Sequence, residues 1–261
     1  MLVLLPPSEG KTPPPRTGPV LDLSRLSAPG LTAVRERVLD ALVTLCADDT
    51  DKAAATLGLG ASLHDEVTHD AGLRTAPTAP ARRVYTGVLY TAAGLARLTA
   101  VQRARAAESV RIVSGLWGVV TPEDPIPAYR LSMGTDLPGV GPLATAWRTA
   151  LAAELDDRAD GELVVDCRSA AYLAAWRPPR TAHWVTVRVE QDVDGRRTVV
   201  SHHAKHARGV LTRHLLTRRG KAPTDPTSLA RAAGELVGGP LVAVELGAPG
   251  RGARTLTLVV G

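Results

Sequence analysis

Apolar residues recur along the chain with two periods, and they predict helices and strands in mixed order. Apolar side chains at 31, 34, 38, 42 and 45 have the spacing of one helical face, whereas short apolar or alternating runs indicate strands. Because the helices and strands do not alternate regularly, we predict a single α+β domain over residues 1–261 rather than a doubly wound sheet. Strands are predicted at 1–5, 110–113, 162–167, 184–190, 197–201, 241–246 and 255–260, with a turn at Asp194-Gly195, and helices at 31–46, 49–56, 61–69, 144–155, 204–217 and 228–237.

The composition indicates a folded protein whose core lacks Phe. Hydrophobic residues make up 44% of the chain and aromatic residues only 3%, so Leu, Val and Ala must fill the interior. Cys46 and Cys167 form neither a disulfide framework nor a metal-binding pair. We therefore expect a protein of a reducing compartment, the cytoplasm, and we predict neither a bound metal nor a cofactor. The apolar start of the chain stops at Pro6-Pro7, too early for a signal peptide or a membrane span.

Positive charge is concentrated in one segment. The formal net charge is +5, and eight Lys and Arg residues but no Asp or Glu lie between Arg196 and Lys221. This distribution is typical of a polyanion-binding patch, and a solvated helix face is the alternative. On the helix predicted there, the spacing of Lys205, Arg208 and Thr212 places them on one face.

The loop after the first strand offers groups that suit an anion. It reads Ser8-Glu9-Gly10-Lys11-Thr12, but Leu5 stands where a P-loop needs Gly, and the prolines at 13–15 forbid the helix that must follow. A P-loop is therefore excluded. We expect Ser8, Lys11 and Thr12 to present an ammonium and hydroxyls to an anion, with an exposed turn as the alternative.

A Gly58-Leu59-Gly60 turn separates two short predicted helices. Glycines at such a turn let backbone N–H groups approach a phosphate, as in helix-hairpin-helix units that bind the DNA backbone. We therefore predict a helix-hairpin-helix element at 49–71, although a glycine-rich connection between packed helices is the alternative.

Four other groups of residues are weaker candidates. The planar guanidinium of Arg130 can bind a phosphate or a carboxylate. Ser114 lacks the flanking residues of a nucleophile elbow, so we do not interpret it as catalytic. His202 and His206 have metal-ligand spacing, yet no acidic or Cys ligand is near and cations surround them, so we predict no metal site. We interpret Cys167 as a half-buried residue rather than a nucleophile, and His64 and His69 as surface residues.

Several segments together resemble the YaaA family of peroxide-stress proteins, in the family order and over nearly the whole chain. The matching segments are 2–12, 84–87, 114–118 and 129–134, the pair Ser169 and Tyr172, and residues 204–205 and 207–209. The first loop is longer and richer in proline than the family form, and Ala171 replaces an acidic residue, which weakens an acid–base role there. The family residues correspond here to Lys11, Thr12, Tyr85, Ser114, Arg130, Met133, Ser169, Tyr172, Lys205 and Arg208.

This resemblance implies a compact α+β domain with a helix-hairpin-helix element and a basic cleft. It also implies a protein that binds DNA and limits peroxide damage by holding down free intracellular iron. Our first hypothesis, based on the acid-free basic segment and the Gly58–Gly60 turn, is a cytoplasmic stress protein that binds double-stranded or distorted DNA without sequence preference. The second is an enzyme that acts on a nucleotide-like or phosphorylated small molecule in the same cleft, and a weaker third is direct iron binding.

Overall fold

The first strand lies inside one large sheet. In the computed structural model, which describes residues 1–60, 63–193, 196–199, 201–250 and 252–261, all four residues of β1 (Leu2–Leu5) are fully buried. The sheet has eight strands in the order β11-β12-β9-β8-β1-β3-β4, and β10 also pairs with β9. The other strands of this sheet are β3 (Val110–Ser114), β4 (Gly118–Val120), β8 (Leu163–Asp166), β9 (His183–Val193), β10 (Arg196–Val199), β11 (Ala243–Leu246) and β12 (Arg254–Val260).

Five neighbouring strands of the sheet are parallel. β1 pairs in parallel with β3 and β8, and β9 pairs in parallel with β8 and β12. Only β4, β10 and β11 run antiparallel to their partners. The prediction of one domain with intermixed helices and strands is confirmed, but the class is α/β with a mixed sheet rather than α+β. The parallel pairing was not predictable from the sequence because local patterns do not show which strands pair, and most of the paired strands are far apart along the chain.

The helices begin where capping residues occur. Asp49 accepts a hydrogen bond from Lys52 N at the start of α2, and Thr99 forms a capping box with Gln102 at the start of α6. The helices are α1 (Thr32–Asp48), α2 (Thr50–Leu57), α3 (His64–Ala71), α4 (Ala81–Val84), α5 (Val88–Ala93), α6 (Ala100–Ser109), α7 (Leu143–Ala159), α8 (Ala170–Leu173), α9 (Ser201–Thr217) and α10 (Pro226–Gly234). Two small antiparallel pairs, β2 (Ala79–Pro80) with β5 (Pro125–Ile126) and β6 (Asp136–Leu137) with β7 (Gly141–Pro142), complete the fold.

Helix α9 packs tightly on α5. A Cβ at Gly209 would lie 2.3 Å from the carbonyl oxygen of Leu89, so only glycine allows the two helices to approach this closely. Thr212, which shares one face of α9 with Lys205 and Arg208 by its spacing, is fully buried and donates to the carbonyl oxygen of Arg208. A hydroxyl bonded to its own helix in this way can enter the core.

The predicted helices and strands are present, with shifted ends, whereas the helix-hairpin-helix element is not confirmed. Ser201, expected to close a strand, begins α9, and the predicted hairpin pairs β9 with β10. The turn expected at Asp194 and Gly195 lies outside the described residues. Within the described ranges, the helices are too short or too polar to cross a bilayer.

Candidate functional site

A pocket opens between the loop after β1, helix α3 and the segment 128–130. The loop after β1 lies at the edge of the sheet where the carboxyl ends of the parallel strands meet. The pocket has a volume of about 320 Å³, within the range of small-ligand sites. It is lined by Glu9, Gly10, Lys11, Pro13, Asp65, Glu66, His69, Ala128 and Arg130.

Lys11 lies in this pocket without an ion-pair partner among the described residues. Its Nζ donates to the carbonyl oxygens of Ser8 at 2.9 Å and Glu9 at 3.4 Å and lies 4.3 Å from the centre of the Tyr129 ring. Burial, and then the positive charge of Arg130, lower the pKa of Lys11 to about 8. About a tenth of its amine is therefore uncharged at pH 7, and about half at pH 8.

Asp70, on the buried face of α3, lies behind the pocket. Its carboxylate accepts the backbone N–H of Arg130, with N–O distances of 3.0 and 3.2 Å, and so fixes the segment that carries Arg130. The side chain is fully buried, and this burial raises its pKa to about 8 against the opposing effects of that hydrogen bond and of Lys11.

A chain of buried hydroxyls supports the wall of the pocket. The Oγ of Ser114 accepts N–H groups from Leu116 and Trp117 and lies 2.7 Å from the hydroxyl of Tyr129. That hydroxyl is in turn 2.8 Å from the hydroxyl of Tyr85. Since Ser114 already accepts two bonds, it donates to Tyr129, which donates to Tyr85. Burial raises the pKa of both tyrosines, so the chain stays neutral and orders the ring under Lys11.

The structure brings most of the family residues to this edge. Tyr172 lies close to Ser132, Met133 and Glu9, and burial raises the pKa of its hydroxyl. Ser169 is the exposed N-cap residue of α8, which carries Tyr172. Thr12 is exposed, and its N–H donates to the carbonyl of Val84.

The other candidate residues lie elsewhere. Arg208 donates through Nε and Nη2 to the carbonyl oxygen of Val187 in β9, so its guanidinium is engaged with the sheet, whereas Lys205 is exposed. Gly58 has the left-handed φ of +66° and caps α2, and Gly60 has open space around it. The first turn of α3, after this connection, carries Asp65 and Glu66, which already satisfy the positive end of that helix.

A second and larger concavity lies at the opposite edge of the sheet. It is formed around the first residues of β9 and β12, has a volume of about 990 Å³, and contains four basic side chains. None of the described residues that line it is acidic. We call it the basic groove, and it is lined by Arg177, Pro178, Pro179, Arg180, Ala182, His183, Trp184, Pro226, Pro249, Gly250, Gly252 and Arg254.

Two residues of the site escaped the sequence analysis. Asp70 was not predicted as a site residue. In α3 it shares the buried face with Val67. An acidic residue at an apolar position of a helix is the sequence signal that could have identified it. Tyr129 lay inside a segment already singled out. His69, interpreted as a surface residue, is half-buried, with Nε2 3.0 Å from the carbonyl oxygen of Ala128.

Metal and thiol chemistry have little support among the described residues. No group of three or more His, Cys, Asp or Glu side chains in the described ranges is arranged to hold a metal ion. The side chain of His202, one member of the considered histidine pair, lies outside the described residues. Cys167, expected to be half-buried, is fully buried, and burial raises the pKa of its thiol to about 12.

The pKa values of Asp70 and Lys11 predict an unusual pH dependence of stability. Between pH 4 and about 8 the folded state retains the Asp70 proton that the unfolded chain loses, so the free energy of unfolding falls as the pH rises. Above pH 8 the contribution of Lys11 has the opposite sign, because the unfolded chain binds the extra proton. Urea unfolding at several pH values should show a smaller fall between pH 5 and 8 for Asp70→Asn than for the parent.

Asp65→Asn provides the control for this experiment, since Asp65 is an exposed carboxylate on the same helix. We expect it to leave the slope of stability against pH unchanged. Identical slopes for Asp70→Asn and the parent would contradict the assignment of a raised pKa to Asp70.

Comparison with known proteins identifies the family. A family model described as "Peroxide stress protein YaaA" matches residues 1–233. The chain belongs to the YaaA family of peroxide stress proteins. It is 48% identical over 262 residues to a UPF0246 protein of Streptomyces coelicolor, which covers all of this chain and 98% of that relative. A UPF0246 protein of Corynebacterium efficiens is 42% identical over the full length of both chains.

The resemblance to YaaA proteins inferred from the motifs is thus confirmed. Within the matched region lie the pocket, its hydroxyl chain and helix α9. The last two strands, β11 and β12, follow the matched region but belong to the same sheet. Arg254, at the start of β12, therefore comes from outside the matched residues, although most of the basic groove lies within them.

Proposed function

We propose that this YaaA family protein protects DNA during peroxide stress by binding the phosphate backbone of duplex or distorted DNA without sequence preference. The observation that carries the proposal is the basic groove, whose lining includes Arg177, Arg180, His183 and Arg254 and no acidic residue among those described. Guanidinium groups bind phosphate oxygens in a bidentate manner, and phosphate contacts carry no sequence information.

The positive charge of helix α9 and the loop after it supports the same proposal. Arg197 and Arg218 pair with Glu245 and Glu235, but Lys205, Arg219 and Lys221 are exposed and form no ion pair with the described residues. Lys221 precedes Pro226, which lines the basic groove. Unpaired cations therefore occur on the helix and in the loop that leads to the groove.

The contribution of Lys205 is tested by salt dependence. Each phosphate contact releases about one counterion, so Lys205→Ala should flatten the slope of log affinity against log salt by roughly one unit, equally for unrelated duplexes. Arg208→Ala should instead act mainly on folding, because its guanidinium holds Val187. An unchanged slope for folded Lys205→Ala would exclude Lys205 from the DNA contacts.

The turn between α2 and α3 is proposed as a backbone-binding hairpin. Gly58→Ala with Gly60→Ala should weaken duplex binding more than folding, since a Cβ would obstruct the approach of a phosphate. The positive φ makes a stability loss of about 1 kcal/mol expected at Gly58. Duplex affinity equal to that of the parent, in a folded double variant, would show that the hairpin does not contact DNA.

A protein bound to the phosphate backbone of DNA would protect that DNA from iron-dependent damage. Ferrous ion associated with DNA phosphates converts hydrogen peroxide into hydroxyl radical, and a protein that binds those phosphates displaces associated cations. The parent protein should reduce strand breakage of plasmid DNA by ferrous ion and peroxide, and a groove variant should protect less. The lower level of free intracellular iron remains a proposal that rests on the family resemblance.

A second candidate function is an enzyme that acts on a nucleotide-like or phosphorylated small molecule in the 320 Å³ pocket. The observation in its favour is that Lys11 and Arg130 share the lining of this pocket. The carboxylates of Glu9, Asp65 and Glu66 on the same lining oppose a multiply charged phosphate or nucleotide more strongly than a ligand with a single negative charge. A thermal-shift screen of nucleotides against the parent and Arg130→Gln tests this candidate, which requires stabilisation of the parent that the variant loses.

A further inference from the structure

The environment of Lys11 suits a reactive amine as well as a charged group that binds an anion. It lies in a pocket rather than on open surface, and two backbone carbonyl oxygens orient it. Lys11 is half-buried, and no carboxylate among the described residues forms an ion pair with it. A lysine in such surroundings is easily deprotonated, and an unprotonated amine is a nucleophile.

The groups around Lys11 favour one class of electrophile. Arg130 lies on the same rim, where its guanidinium is 3.5 Å from the carboxylate of Glu9. Because the side chain of Glu9 is 84% exposed, a bound carboxylate can displace it and take its place on Arg130. His69 and Glu66 lie on the same lining and can exchange protons with a bound molecule. The ring of Tyr129 under the Nζ is held by the hydroxyl chain and keeps that side of the amine dry.

We propose that Lys11 forms an imine with a small aldehyde or ketone that carries a carboxylate, which Arg130 binds. The nitrogen lone pair attacks the carbonyl carbon and the oxygen takes up a proton to give a carbinolamine. The C–O bond then breaks and water leaves with a second proton, while the nitrogen, having lost both of its hydrogens, forms the C=N bond. Amine and carbonyl thus become imine and water, and no oxidant or reductant is consumed.

This activity is independent of DNA binding and uses the pocket of the second candidate function without a phosphate. Its failure would leave the basic groove untouched. Conversely, loss of DNA binding in groove variants would not affect the chemistry at Lys11. The two proposals can therefore fail separately.

The chain suits a direct test because it has only four lysines, at positions 11, 52, 205 and 221. The parent protein would be incubated with glyoxylate and cyanoborohydride, which reduces an imine to a stable amine, and modification of each lysine would be quantified by peptide mass spectrometry. At about pH 7 we expect Lys11 to be modified at least about tenfold faster than the other three, because exposed lysines are almost fully protonated there. In urea the four rates should become equal.

Two comparisons test the role of Arg130. Acetaldehyde, which lacks a carboxylate, should modify Lys11 more slowly than glyoxylate does, and Arg130→Gln should remove this preference. Excess inorganic phosphate should leave the rate with acetaldehyde unchanged. Modification of Lys11 no faster than that of Lys52, Lys205 and Lys221 in the folded protein would overturn the proposal. Equal rates with the two aldehydes would overturn the assignment of Arg130.

Discussion

The double variant Arg177→Ala, Arg180→Ala should bind duplex DNA about ten- to hundredfold more weakly than the parent at moderate salt, with a slope of log affinity against log salt flatter by roughly two units. Both side chains are exposed on the lining of the basic groove, so their removal deletes positive charge without opening the core. Fluorescence anisotropy with labelled duplexes over a range of salt concentrations measures both quantities.

Arg37→Ala with Arg148→Ala is the matched control. These two exposed arginines lie on α1 and α7, outside the groove lining, and their removal changes the net charge by the same amount. We expect the control to retain most of the affinity. Equal losses in the two double variants would mean that net charge alone, rather than the groove, attracts DNA.

The largest effect on stability is expected from Arg35→Met. Arg35 is fully buried in α1, and its guanidinium donates to the carbonyl oxygens of Trp117 at 3.0 Å, Val119 at 2.8 Å and Ala28 at 3.2 Å. The variant leaves these carbonyls without their donor in the interior, which should cost about 3–5 kcal/mol in the free energy of unfolding. Urea unfolding measures the loss.

Arg37→Met, on the exposed side of the same helix, should change the stability by less than about 0.5 kcal/mol. A similarly small change for Arg35→Met would show that water or neighbouring groups replace the three hydrogen bonds. The turn that connects β3 and β4 would then not depend on α1 for its position.

Local patterns predicted the elements well because each carries its own signal. The helix at α1 follows from apolar spacing, and the hairpin of β9 and β10 follows from alternation on both sides of a turn. The parallel order of the sheet was not predictable in this way. β1 pairs with β3 across the whole stretch that contains α1 to α6, and no periodicity indicates which distant strands will be neighbours.

The candidate site was likewise predictable only in part. Lys11 and Arg130 stand in short motifs and were singled out from the sequence, although only the structure shows that carboxylates share their pocket. The basic groove was missed because its cations are dispersed in the sequence. Arg254 reaches the groove only because β12 pairs with β9, with Arg254 opposite Val185. The concentration of charge near Lys205 drew attention to α9 instead.

The most direct test of the DNA-binding proposal is the salt dependence of duplex binding by the parent protein between about 50 and 200 mM salt. Two unrelated duplexes of equal length would be compared. Binding to phosphates through the groove and the cations near it predicts the same affinity for both duplexes, with a common slope of roughly −3 to −5. A slope near zero, or a strong preference for one duplex, would contradict it.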